Sequence, residues 1–418
     1  MSERSPLGRF LARLTGAWQL ERLAALDEKV GKYGRTQREE LAAQRQQLDE
    51  LRHAVATRAT ADAVRELQRG LEDAHRSLAV QDRTFCEALE RAGRLDEQGV
   101  DDRRFARRIE QLLRHDRPII VGPWTGEVGF ELLYWIPFVR WVVTRYGLPP
   151  ERLIVVSRGG AEPWYGGMAT RYADAFSFFS PEEFRAATID AKKQRRVGAF
   201  DAELAKRVAA AHGLQRVEFI HPGMMYRLFF GFWKELATMA RVEQYAEYAR
   251  IDAPADPVLQ TLPADYVAAR FYFSDCFPDT PANREFVSST IETISRQTPV
   301  VLLNTPFAVD DHRDFAAAGA RVISLAAQMA PERNLAVQTA VIGRARAFVG
   351  TYGGYSYLAP FCGVSSLAFY SQRTFKAHHL HVAQHVFDRL GGPTVVPLDV
   401  AAAPLLRLAL PAALSATS

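Results

Sequence analysis

Cysteine is scarce: Cys86, Cys276 and Cys362 are the three in 418 residues, far apart and in no Cys-x-x-Cys spacing. That excludes a disulfide framework and a zinc knuckle and fits a reducing compartment. No apolar run approaches the roughly 18 to 20 residues that a membrane-spanning helix needs, and the first residues lack a signal-peptide core. A cytoplasmic protein is expected, at most peripheral to the inner membrane. Excess charge of one sign is also lacking. A formal net charge of +4 and a pI near 8.9 are mild, and Lys and Arg are not interleaved with aromatics as in a nucleic-acid binder. No nucleic-acid partner is expected, whereas an anionic small molecule or a membrane surface stays open. Neither strand expected to open an α/β unit is followed by Gly-x-Gly-x-x-Gly, which speaks against a dinucleotide oxidoreductase. No convincing Asp-x-Asp pair marks a metal site. Asp310-Asp311-His312 reads as a solvated turn, and His381 and His385, four apart on a helix, have no carboxylate or cysteine partner nearby. Neither a metal nor a cofactor is expected.

What the chain does have is 48% hydrophobic and 24% charged content, enough for two or three domains with sizeable cores. Between Pro6 and Pro118 there is no proline, and Glu, Gln, Arg, Ala and Leu dominate, so residues 1–115 are expected to form a helical arm. Leu41, Leu48, Leu51 and Val55, then Val64, Leu67, Leu71, Ala74 and Leu78 after a register break near Thr60, make a seam. It suits a coiled coil or helical hairpin that forms a homo-oligomer, and equally a helix packed on its own body. Phe10, Leu11, Leu14 and Trp18, with Arg4, Arg9 and Arg13 around them, can pack internally or rest on an anionic bilayer.

Composition changes at Arg117. Residues 118–121, 152–156, 175–179 and 217–220 read as strands, with helices at 130–146 (apolar on every face), 181–196 and 202–212. Residues 251–263, with Pro254, Pro257 and Pro263, read as a crossing between domains. A second series of strands is expected at 266–273, 299–303, 321–325, 347–349, 366–370 and 394–397. Such alternation means parallel sheets. The expected architecture is α/β: two facing Rossmann-like domains, 116–255 and 256–400, behind the helical arm and before a tail at 401–418.

Residues 344–371 are the most informative stretch. An apolar run at 347–349 ends at Gly350, Gly353 and Gly354 permit a sharp turn, and a helix is expected to begin near Tyr355. Its amides and the positive end of its dipole would face the carboxyl end of the sheet, where phosphate is the natural guest. An isolated glycine pair more often only makes a tight connection.

The Arg-rich helix, Phe-Val-Gly, the glycine turn, Leu-Ala-Pro and Gly-Val-x-Ser-Leu-Ala-Phe-Tyr together resemble the donor-phosphate segment of GT-B glycosyltransferases. The segment is similar to that of bacterial heptosyltransferases and, more distantly, to that of GT-B fucosyltransferases. The likeness covers residues 117–398 in layout and is close in two short segments. It implies a nucleotide-sugar donor held by Thr351, Tyr352, Gly353, Gly354, Tyr355 and Ser356. A guanidinium such as Arg270 or Arg284, with Ser274, would assist, and Glu332 and Asn334 would lie near the ribose or base.

The second close segment is Gly126-Glu127-Val128 followed by a helix containing Pro137. Heptosyltransferases carry Gly-Asp-Val before a proline-bearing helix, and there the acidic residue activates the acceptor hydroxyl. Glu127 is similar in position and is the first choice for general base, with Glu131 second; here Glu replaces Asp and Gly129 is added. A carboxylate between apolar walls at the end of a core strand should have its pKa raised by desolvation. Helix-dipole complementarity is the rival account of Glu131. Trp124 and His221 are candidates for the acceptor side, a satisfied buried histidine being the rival for His221. The expected reaction is sugar transfer to a surface glycan or lipid-linked acceptor, inverting and metal-independent. A nucleotide-sugar epimerase and a non-catalytic coiled-coil scaffold are the alternatives.

Overall fold

Short apolar runs of the chain become strands buried on both faces: β1 (Ile119–Val121) and β2 (Leu153–Ser157) are buried at every position, as in parallel sheets covered by helices. The computed structural model describes residues 39–40, 42–50, 69, 99–189, 193–309, 312–375 and 377–402. The chain divides into two compact units, 1–93 and 94–418. In the first, the described residues are helical, with Gln46 Nε2 donating to Glu50 Oε1 at 3.1 Å. Most of the proposed seam, from Leu51 to Leu78, and the Trp18 segment lie outside the described residues.

The second unit holds two lobes. In the first lobe β1 and β2 join β3 (Arg171–Asp174) and β4 (Glu218–Ile220) in a parallel sheet of order β3-β2-β1-β4. In the second, β5 (Val267–Arg270), β7 (Val300–Leu302), β9 (Val322–Ser324), β10 (Ala347–Thr351), β11 (Ser366–Tyr370) and β12 (Val395–Asp399) form a parallel sheet of order β12-β11-β10-β5-β7-β9. A small antiparallel pair, β6 (Tyr272–Phe273) and β8 (Arg313–Asp314), is added beside it.

Helix α1 begins as Val128–Phe130, widens to a π turn at Glu131–Trp135 and continues as Ile136–Tyr146. Leu132, Leu133, Trp135, Phe138, Val139 and Val142 are all buried, as expected of a helix apolar all round. Pro137 sits just past the π turn, at the point where the helix narrows again, and offers no N–H to the turn before it. Helices α2 (Pro181–Thr188), α3 (Ala199–Ala211) and α4 (Pro222–Leu228) belong to the first lobe, as does helical chain at 99–113, whose Phe105, Ile109 and Leu112 are buried; α5 (Pro281–Ser295), α6 (Asn334–Arg344), α7 (Gly354–Phe361) and α8 (Ala377–Arg389) belong to the second.

Two expectations are corrected. The third strand is Arg171–Asp174, because Asp174 Oδ1 accepts from the Phe176 amide at 2.9 Å and turns the chain at 175–177, where the apolar run 175–179 predicts an extended strand. Helix α2 stops at Thr188 rather than 196, and Gln194 turns inward to buried partners.

The lobes touch directly. The Gly159 carbonyl accepts from the Leu335 amide at 2.7 Å, taking up an otherwise unpaired donor at the start of α6, and Trp164 Nε1 donates to Thr339 Oγ1 at 2.8 Å. Gly159 and Gly160 both have positive φ, 67° and 74°, and a Cβ on Gly160 would lie 2.9 Å from the Glu332 carbonyl. Only glycine fits that approach.

Candidate functional site

Loops leaving the carboxyl ends of β1, β2, β5, β7 and β10 converge on one cavity of ≈ 570 Å³ walled by both lobes, where open parallel sheets take ligands. Glu127, Val128, Gly129 and Arg158 line it from the first lobe, and Arg270, Ser274, Asn334 and residues 352–355 from the second. The glycine turn and the first-lobe carboxylate therefore share a wall. Glu127 is exposed at the start of α1.

Glu131 is fully buried and does not line the cavity. Its Oε1 accepts from Ser157 Oγ at 2.6 Å and Tyr165 OH at 2.8 Å, and its Oε2 from Arg158 Nη1 at 2.9 Å. Burial pushes this carboxyl above the usual range, while Arg158 and the hydrogen bonds pull it down. The desolvated carboxylate expected in the loop after β1 is not Glu127, which is exposed; the buried one is Glu131, four residues on, and its oxygens are committed to structural partners. Trp124 is also buried, stacked on Trp135 at 5.9 Å and Tyr226 at 6.4 Å between ring centroids. His221 accepts from the Gly223 amide through Nδ1 at 3.0 Å and therefore donates from Nε2 to Asp201 at 3.1 Å. Neither reaches the wall.

On the donor side, Thr351 is buried and exchanges hydrogen bonds with the Tyr272 backbone at 2.8 and 3.0 Å. The Ser356 hydroxyl donates to the Gly353 carbonyl at 2.6 Å and accepts from the Gly353 amide at 3.1 Å, so it shapes the turn instead of presenting itself to a ligand. Arg270 lines the wall with its guanidinium paired to Asp314 at 3.1 and 3.2 Å and lying 4.1 Å from the Tyr355 ring centroid. Arg284 is off the wall, paired with Asp279 at 2.5 and 2.7 Å. Glu332 is also off the wall, its carbonyl packed over Gly160.

The wall also holds residues that are not candidate site residues in the sequence: Arg158, Tyr134 and Tyr357, with Lys193, expected on a solvated helix face, and His379, expected as a surface or packing histidine. Arg158 carried a signal, since it follows directly the strand end at Ser157. His379 reaches the site by pairing through Nδ1 with Tyr134 OH at 2.6 Å, which nothing local in the sequence marks. Asp310 and Asp311 lie outside the described residues. Among the described residues no group of three or more His, Cys, Asp or Glu is placed to hold a metal ion, and His385 pairs with Glu243 at 2.9 Å. No described helix is long and apolar enough to cross a membrane.

No protein-family model and no curated protein matches the chain. Solved structures similar to it include a family 9 glycosyl transferase from Veillonella parvula (12% identity, TM-score 0.38, covering 70% of this chain and 89% of that one). Another is the ADP-heptose LPS heptosyltransferase II of E. coli (11%, 0.38, 68% and 90%). A UDP-GlcNAc 2-epimerase from Methanocaldococcus jannaschii is also similar (10%, 0.33, 67% and 88%).

Proposed function

We propose that this chain is a glycosyltransferase that moves a sugar from a nucleotide-sugar donor to a surface-glycan or lipid-linked acceptor, with inversion and without a metal. The observation that carries the reading is the shared cavity: an exposed carboxylate on one lobe and a glycine turn opening a helix on the other line the same ≈ 570 Å³ space.

Glu127 takes the proton of the acceptor hydroxyl, whose oxygen attacks the anomeric carbon; the bond from that carbon to the diphosphate breaks and its electron pair leaves with the phosphate. The leaving group's charge is met by the amide end of α7 and by Arg270 beside it. Ser356 contributes by fixing the turn, and Asn334 and Ser274 are among the donor-side residues that line the wall.

A thermal-shift panel of nucleoside mono- and diphosphates tests the reading. At least one diphosphate should raise the melting temperature more than its monophosphate. A flat panel would instead mark a scaffold without nucleotide chemistry. A donor converted without acceptor into an isomeric nucleotide sugar would mark an epimerase.

A further inference from the structure

Residues 122–127 connect β1 to α1 outside any regular element. The Gly122 amide donates to the Ile220 carbonyl and the Trp124 amide to that of Val156, both at 2.9 Å, but the Thr125 amide and the Pro123 carbonyl take no such backbone partner among the described residues. Proton transfer demands that the carboxylate beyond them be held to a fraction of an ångström. A side chain supplies the missing partner. Gln194, buried at 5% exposure, accepts the Thr125 amide through Oε1 at 2.9 Å and donates from Nε2 to the Pro123 carbonyl at 2.8 Å. Its carboxamide pairs with both backbone groups much as a neighbouring strand would. The second Nε2 proton goes to Asp201 Oδ1 at 3.0 Å, which fixes which way round the amide sits. Asp201 is in turn held by the Gly198 amide at 2.9 Å and by His221. On the opposite side, Arg158 Nη2 donates to the Gly126 carbonyl at 2.5 Å while Glu131 holds the same guanidinium.

We propose that Gln194 is a positioning residue for Glu127, with Arg158 closing the other side of the loop. Two buried carboxylates, Asp201 and Glu131, orient the two clamps. Gln194 does not line the cavity, so its effect on turnover passes through the loop. The inference rests on the reading of Glu127 as the base.

The test uses the full chain and Gln194→Met, which keeps the volume and removes the pairing. Hydrogen exchange of the peptide covering 122–128 should accelerate by ~10-fold, about one lost hydrogen bond, while the β2 peptide is unchanged. Turnover is read as nucleoside diphosphate released by hydrolysis of a panel of UDP-, GDP- and ADP-linked sugars, water standing in for the acceptor hydroxyl. Its kcat should fall by ~10- to 100-fold with the donor KM within about two-fold. Added to Glu127→Gln, the substitution should cost no further rate. Unchanged exchange at 122–128, or losses that multiply in the double variant, overturns the proposal. Full rate in Glu127→Gln overturns the base assignment instead, and the exchange result then judges the clamp by itself. Should Gln194→Met not fold, Gln194→Glu replaces it. Its turnover relative to wild type should rise as pH falls from about 8 to about 5.5 and the new carboxyl regains a proton to donate; a flat ratio overturns the proposal.

Discussion

Gly129 and Gly354 meet backbone to backbone across the cleft: a Cβ on Gly354 would lie 2.7 Å from the Gly129 nitrogen, and one on Gly129 3.3 Å from the Gly354 Cα. The amino end of α7 is thus reached by the first-lobe loop because neither position carries a side chain. The contact decides what a substitution at 354 does. The first obstacle met by a new side chain is the other lobe, with Val128 Cβ at 2.8 Å.

Gly354→Ala should therefore hold the lobes apart and weaken nucleoside diphosphate binding by ~10-fold or more, a lost contribution of about 1.4 kcal/mol. Gly129→Ala should cost less, since its new methyl meets Gly354 at a distance a small shift relieves. Calorimetry gives the affinities and X-ray scattering the opening. Unaltered affinity in Gly354→Ala would show that this seam does not govern the site.

Glu131→Gln leaves Arg158 buried without its charge partner. Breaking a buried ion pair from one side typically costs about 3 to 5 kcal/mol, so the variant should unfold at clearly lower denaturant while its far-UV circular dichroism stays native. A variant as stable as wild type would mean that Glu131 does not anchor Arg158.

Asp174 makes stability depend on pH. Its carboxyl is pushed up to about 6 from 3.8 by burial, against the pull of hydrogen bonds from the Gly160 and Phe176 amides and from Tyr172. A group with a raised folded-state pKa contributes stability that is present in full below 3.8 and lost as pH rises through about 6. The stability difference between wild type and Asp174→Asn should shift against wild type by roughly 3 kcal/mol between these limits. Parallel pH curves in urea unfolding would contradict this.

Much of the scaffold was legible because buried parallel strands declare themselves as unbroken apolar runs, as at 119–121 and 347–349. The glycine turn was legible too, since backbone freedom is a property of the residues themselves. What stayed hidden depends on distant partners. Phe176, Phe178 and Phe179 look like a strand, yet Asp174 ends β3 before them. Of the two carboxylates four residues apart, the chain alone could not say that Ser157, Arg158 and Tyr165 would claim Glu131 and leave Glu127 exposed. Gln194 acts on a segment 69 residues away, and no local pattern marks it.

The central claim is that a first-lobe carboxylate serves a ligand gripped by the second lobe. Its most direct test is the turnover of Glu127→Gln alongside its nucleoside diphosphate affinity. The account predicts a kcat reduced by ~10²- to 10⁴-fold with the affinity nearly intact; a full-rate Glu127→Gln enzyme would contradict it.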